Sequence, residues 1–422
     1  MREMNQGRGR RRARGRGVLC LLLAVAAVAV LGSPGVRAYG ELPDTLSLTA
    51  GSNAVLDIKL PGSVLLDAGD TQATLRRGDG ALEIQAGEQS GSANLIFRLL
   101  GVLPVKTVEV EVAEERTLIP GGKSVGIAIE TDGLVVVGTS DLGQAASPAE
   151  RAGLRAGDVI TAVNGVEVSS SEELSAQLEV GTAAELQVER NGSALNLTLT
   201  PEADPRDGEL RIGAWVRTST AGVGTLTYVD PEDMRFGALG HAISDVDTGI
   251  TLPVADGGLF ESEVVQINPG RRGAPGEIVG DFLSQEAQIG AVTTNCDRGI
   301  YGDSYSGDIA ELPYPEGLPV AARSQVHVGE AQILTTLDDE VEAFDCEIER
   351  VELDGGADTR SLTLHVTDPE LLARTGGIVQ GMSGSPIIQD GKLVGAVTHV
   401  LVNDPSRGYG IYIGDMLEAP EH

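Results

Sequence analysis

A mainly β, multi-domain fold is what this sequence predicts, and three observations predict it. Aromatic residues make up only 3% of the chain while glycine reaches 56 of 422 residues, a composition of many turns. Short apolar or alternating runs recur along the chain with Gly and Pro between them. No long amphipathic helix alternates with these runs, which argues against a parallel α/β sheet. The length leads to an expectation of two to three domains, and 41% hydrophobic content excludes a disordered chain.

The first segment, residues 1–38, reads as a signal peptide or an N-terminal membrane anchor. Seven arginines lie between Arg2 and Arg16, ahead of 14 uncharged residues from Val18 to Leu31. A spanning helix needs about 20 residues, so the run has the length of a signal-peptide core. Val36-Arg37-Ala38 offers a small-residue cleavage site. The basic flank stays in the cytoplasm, so the rest of the chain is expected outside it. Cys20 follows Leu19, which is not small, so it is no lipoprotein site.

Charge narrows the partners. The whole chain carries −31; without the eight Arg and one Glu of residues 1–38 it holds 23 basic and 61 acidic residues, a net −38. A body that acidic repels nucleic acid and is kept soluble by self-repulsion. Beyond the first segment only Cys296 and Cys346 remain, and export leaves open either a disulfide or two buried thiols. No CxxC, HExxH or paired-His spacing occurs, so neither a metal nor a cofactor is expected.

Residues 39–117 read as a small β-rich domain of short strands, exemplified by Leu46-Ser47-Leu48 and Val108-Glu109-Val110-Glu111-Val112. Ile119-Pro120-Gly121-Gly122 marks a boundary. Residues 118–204 then resemble a PDZ domain. In the string Ser147 to Gly165, Ser147 caps a short helix, Pro148 is its first residue and Gly153 ends it. Asp158 to Val163 is a strand, Asn164-Gly165 a hairpin turn and Ser169 to Val180 a second helix. The resemblance implies strand addition: an extended ligand lies along Val125, Gly126 and Ile127, with loop amides holding its carboxylate. A domain that merely spaces its neighbours is the alternative.

Residues 205–422 return to short strands with Gly-rich turns and read as a barrel-like, antiparallel domain. Gly381-Met382-Ser383-Gly384-Ser385-Pro386 carries the chemistry. A serine hydroxyl attacks only when a base takes its proton and amides hold the oxyanion, and flanking glycines let the chain turn tightly enough for both. The hexapeptide resembles the nucleophile turn of chymotrypsin-like proteases, not the G-x-S-x-G elbow, since Ser385 stands where the last Gly would be. By that analogy the amides of Gly381 and Ser383 form the oxyanion hole. Ser304, in Gly302-Asp303-Ser304-Tyr305, lacks the following Gly and Pro. Among the histidines, His241 sits in a Gly-flanked site, 142 residues before Ser383 (241 to 383), the order and separation of a double β-barrel peptidase. His399 is the reserve base. His327 and His365 sit in alternating strands, and His422 is terminal.

Four further stretches extend the resemblance: Gly222 to Thr227, Gly237 to His241, Pro269 to Glu277 and Thr375 to Ile388. With the PDZ-like string and Gly395 to Val400, they resemble the stage IV sporulation protein B peptidase family. That resemblance implies an exported serine endopeptidase of sporulation, acting between the forespore and mother-cell membranes. It implies processing of itself and cleavage of a membrane-bound regulator of an intramembrane metalloprotease, which leads to late sigma-factor activation. It maps the nucleophile onto Ser383, the base onto His241 and an acid onto Asp368. Asp368 precedes Pro369 and is equally a helix cap, and Asp245 and Asp247 are alternatives near the base. A PDZ scaffold with an inert protease domain, or a general envelope protease, are the rival readings; in the latter the protease usually precedes the PDZ domain.

Overall fold

The computed structural model describes residues 39–419 apart from 40, 41, 43, 57–62, 68–72, 78–81, 100, 101, 144, 191, 283–287, 339 and 353–358. The expected export segment, residues 1–38, and His422 lie outside the described residues. Among the described residues no helix is long and apolar enough to cross a membrane. The chain forms two compact units, one built on the chain up to Glu115 and the other on the chain from Arg116.

In the first unit, alternation dictates the packing. Val108, Val110 and Val112 turn inward while Glu109 and Glu111 face water, the period of a half-buried strand. Thr45–Thr49, Leu103–Ala113, Gly91–Leu99 and Ser63–Asp67 form one sheet. Asn53–Leu56, Leu82–Gln85 and Thr74–Arg77 form a second. Leu48, Ile84, Leu95 and Phe97 share the core.

The second unit holds two closed barrels. The first has six staves: Ser124–Thr139, Asp256–Glu261, Gln288–Cys296, Gly299–Asp303, Phe236–Ala238 and Ala214–Val229, which pairs back onto Ser124–Thr139. The second runs Gly329–Thr336, Val341–Val351, Leu362–Val366, Arg407–Tyr412, Lys392–Val400 and Pro386–Gln389, closing on Gly329–Thr336. Closure leaves neither barrel an open sheet edge.

Two staves of the first barrel, Ser124–Thr139 and Ala214–Val229, are 16 residues long, and their outer halves leave the barrel. There Leu134 and Val135 pair with Ile160 and Val159, while Val135 to Thr139 pair with Arg217 to Ala214. Ala184–Arg190 and Ser193–Leu199 complete this outer sheet. The PDZ-like region is therefore an insertion between two staves of the first barrel.

Local signals inside the insertion read as the sequence predicts. The Ser147 hydroxyl accepts from Glu150 N, Pro148 opens the helix Pro148–Ala152, and Gly153 ends it at φ 84°. Asn164 and Gly165 both have positive φ, 54° and 77°, as a tight hairpin turn requires. The second helix is shorter than expected, Ser171–Ala176.

The expected ligand strand is overturned. Val125, Gly126 and Ile127 pair with Gly224, Val223 and Gly222 on one edge and with Glu261, Phe260 and Leu259 on the other. Both rows of backbone groups are taken, so no peptide can be added there. A Cβ on Gly126 would meet Phe282 Cγ at 2.4 Å; its small size serves barrel packing. Cys296 and Cys346 are free thiols in different barrels, and burial pushes the Cys346 thiol up to about 12.

Candidate active site

Ser383 is held in a turn clamped from both barrels. Gly381 and Gly384 take φ values of 96° and 95°. A Cβ on Gly384 would lie 2.1 Å from Thr225 O and 2.5 Å from Leu239 N, so only glycine fits. From the first barrel, Thr225 N donates to Ser383 O (2.9 Å), and the Thr225 and Thr227 hydroxyls donate to Gly381 O and Gly384 O (both 2.8 Å). From the second, Gly384 N donates to Val397 O (2.7 Å) and Val397 N to Ser385 O (2.9 Å). Among the described residues the amides of Gly381 and Ser383 have no hydrogen-bond acceptor, as an oxyanion hole requires.

His241 arrives from the first barrel. Past Phe236–Ala238, Leu239 and Gly240 both adopt positive φ, 67° and 69°, and turn the chain toward the second barrel. A Cβ on Gly240 would touch Thr398 Cγ2 at 3.0 Å. The His241 ring lies 5.2 Å from the His399 ring, inclined by 39°. The Ser383 hydroxyl donates to the carbonyl of Thr398, the residue before His399, at 2.9 Å. The Ser383 hydroxyl and the His241 imidazole thus converge on one dipeptide of Lys392–Val400.

The imidazole is oriented by its own backbone. His241 Nδ1 lies 2.8 Å from Ala242 O, a contact that places a proton on Nδ1 and leaves Nε2 as the basic nitrogen. Burial lowers its pKa below the ordinary 6.5, against the smaller upward pull of the Ala242 bond.

Asp368 requires a correction. It caps the helix Pro369–Thr375, its Oδ1 accepting from Glu370 N (2.8 Å) and Leu371 N (3.0 Å) and its Oδ2 from Asp345 N (3.4 Å). Among the described residues these backbone amides are its hydrogen-bond partners, and the imidazole is not one of them. The physical reason is local: Asp-Pro at a helix start satisfies amides that would otherwise have no acceptor. Asp245 is likewise no imidazole partner. It binds Asp247 N, Thr248 N and the Thr248 hydroxyl within its own loop. His327 pairs with Asp390 and His365 with Glu349, both outside the site, and Ser304 sits on an exposed turn bonded to Asp303.

Sequence reasoning missed Thr225 and Thr227. Their stretch carries the family resemblance, but threonines at alternate strand positions look like ordinary β residues. It also missed the groove of the insertion. Helix Ser171–Ala176 and residues 210–216 flank a cavity of about 700 Å³. Leu142, Leu174, Leu178 and Ile212 supply apolar lining, and Ser171 and Ser175 lie on the helix side. Among the described residues, the edge of Ala214–Arg217 facing away from Ser124–Thr139 pairs with no strand.

A family model for SpoIVB peptidase S55 matches residues 208–417, and a PDZ-domain model matches residues 140–190. The chain belongs to the SpoIVB peptidase S55 family. SpoIVB peptidases are serine proteases of sporulation signalling, exported into the space between forespore and mother cell. They process themselves and cleave a membrane-bound regulator of an intramembrane metalloprotease. The stave Ser124–Thr139 lies outside the stretch matched by the SpoIVB model, yet the first barrel cannot close without it.

Curated relatives match in part. The chain is 43% identical over 91 residues to zinc metalloprotease RasP of Shouchella clausii, covering 20% of this chain and 22% of that protein. It is 34% identical over 151 residues to a probable periplasmic serine endoprotease DegP-like of Brucella suis, covering 34% and 27%. The chain spans about a quarter of the length of these relatives. Of solved structures, the PDZ domain of the SdrC-like protein Lmo2051 from Listeria monocytogenes is 24% identical over 20% of this chain and 87% of that one, with a TM-score of 0.17. The active form of Rv3671c protease from M. tuberculosis is 17% identical over 47% and 72%, with a TM-score of 0.27.

Proposed function

We propose that this SpoIVB-family chain is a serine endopeptidase in which Ser383 is the nucleophile and His241 the base. The observation that carries the reading is the convergence of Ser383 Oγ and the His241 ring on Thr398-His399, beside two unengaged amides. Ser383 Oγ turns from the Thr398 carbonyl toward His241, loses its proton to Nε2 and bonds to the scissile carbonyl carbon. The carbonyl oxygen becomes an oxyanion held by the amides of Gly381 and Ser383. His241 returns the proton to the leaving amine, and water then frees the acyl group by the same steps reversed. The Ala242 carbonyl occupies the place an acid takes in a chymotrypsin-like triad, and Asp368 acts as a helix cap.

The substrate class is an extended polypeptide: a membrane-bound regulator, or another copy of this chain. We place its docking in the groove beside Ala214–Arg217, where strand addition supplies affinity and the apolar lining supplies selectivity. Domain boundaries follow: residues 39–115 as a separate β unit, and one catalytic unit from 116 with the PDZ insertion at about 132–217.

One observation favours an inert scaffold instead, the donation of the Ser383 hydroxyl to a backbone carbonyl rather than to an imidazole. Incubating the purified chain with a serine-directed fluorophosphonate and mapping the labelled residue separates the two. Labelling at Ser383 is expected; an unlabelled, folded chain would leave only the scaffold.

A further inference from the structure

One strand touches the groove and both halves of the proposed catalytic apparatus. Ala214–Val229 begins as the unpaired edge of the groove and ends with Thr225 and Thr227 on the nucleophile turn. Between them stands Arg217. Its guanidinium forms ion pairs with Asp245 at 2.9 Å and Asp247 at 2.5 Å.

Both carboxylates lie in the loop that His241 opens. Asp245 is fully buried and ties the loop's tip together, its other oxygen accepting from Asp247 N, Thr248 N and the Thr248 hydroxyl. The loop's root is held by Asn295, whose amide accepts from Ile243 N (2.9 Å) and donates to Ile243 O and Leu252 O (both 2.8 Å). The tip also leans on the insertion: a Cβ on Gly157 would lie 2.2 Å from Ile250 Cδ1. The root is thus fixed by the barrel and the tip by Arg217.

We propose that Arg217 is a positioning residue for His241, holding Asp245 so that the loop presents the imidazole to Ser383. It also ties that loop to the strand edge that receives peptide. The inference rests on the reading of His241 as base and of the groove as a peptide site. A buried carboxylate deprived of its cation is strongly unfavourable, so without Arg217 the loop rearranges to let water reach Asp245. A shift of about 1 Å at a catalytic group costs on the order of 100-fold in rate.

The test uses the full chain, a short fluorogenic peptide and the variants Arg217→Met, Arg217→Lys and Asp245→Asn. Arg217→Met is expected to lower kcat by about 10–100-fold with KM within about twofold, while thermal unfolding shows the protein folded at the assay temperature. Arg217→Lys, which keeps one cation for Asp245, recovers part of the loss. The double variant Arg217→Met/Asp245→Asn is no slower than the slower single variant, because both remove one interaction. A kcat within about twofold of the parent in Arg217→Met overturns the proposal, as does a raised KM at unchanged kcat. So does a rate loss no larger than the loss of folded protein. A parent chain that neither cleaves the peptide nor labels at Ser383 fails the reading of base and nucleophile instead.

Discussion

Ser383 spends its hydroxyl on the Thr398 carbonyl, and His241 spends Nδ1 on the carbonyl of its neighbour. In the proposed mechanism the first bond is broken to react, while the second persists and fixes the tautomer. Ser383→Ala is therefore expected to lower peptide cleavage by about 10⁴-fold or more while leaving the unfolding midpoint nearly unchanged. The pH dependence follows from burial. A base acts while neutral, and burial holds His241 neutral to a lower pH than an ordinary imidazole of pKa 6.5. The acid limb of kcat/KM should thus have its midpoint below 6.5 and vanish with His241→Ala; a midpoint above 6.5 would point to a different base. Asp368 separates by substitution. As a cap, it should tolerate Asn with nearly full activity, whereas Asp368→Ala should lose about 1 kcal/mol of stability, with activity falling in step. A folded but inactive Asp368→Asn would restore the acid role.

The turn that carries Ser383 is built by elements that approach it from opposite sides. Val397 on Lys392–Val400 and Thr225 on Ala214–Val229 hold its carbonyls and amides, so the two barrels together set its shape. Thr225→Val keeps the shape of the side chain but removes the donor to Gly381 O. Freed of that bond, the turn can shift at Gly381 and carry the neighbouring Gly381 amide off its aim, and kcat should fall by about 10–100-fold, the scale of a weakened oxyanion donor. KM should stay near the parent value. Steady-state kinetics on a short peptide measure both, and an unchanged kcat would show that Val397 and the glycines suffice.

At the scale of the whole molecule, the proposed reading gives substrate capture to the insertion and chemistry to the barrels. Ser175 is exposed on the helix side of the groove, so Ser175→Trp should fill the groove without disturbing the buried Leu174. Cleavage of a full-length Ser383→Ala chain added as substrate should fall by about tenfold or more, since capture raises the local concentration of the scissile bond. Turnover of a short generic peptide should persist. If both rates fell together in a folded variant, the insertion would brace the barrels and capture nothing.

Features that neighbouring residues decide were legible along the chain. Gly-x-Ser-Gly-Ser-Pro is legible as a tight turn because its glycines supply the φ values within the motif. Ser147-Pro148 through Gly165 is a helix, strand and hairpin because caps and turn residues act over a few positions. The Asp-Pro at 368–369 was legible as a cap for the same reason, and its assignment as an acid rested on resemblance alone. The partners of Ser124–Thr139 emerge only in the folded chain. An alternating apolar run announces a strand but not its neighbours, since pairing is non-local and both a PDZ sheet and a barrel bury the same face. The proposed ligand edge therefore lies at residues 214–217 and not at 125–127, because there, among the described residues, one row of backbone groups is unpaired. Asp245 was legible as a candidate near the base, but its pairing with Arg217 was not, for a related reason. A single charged residue in a strand reads as solvated until folding brings its counter-ion, 28 positions on (217 to 245), to 2.9 Å.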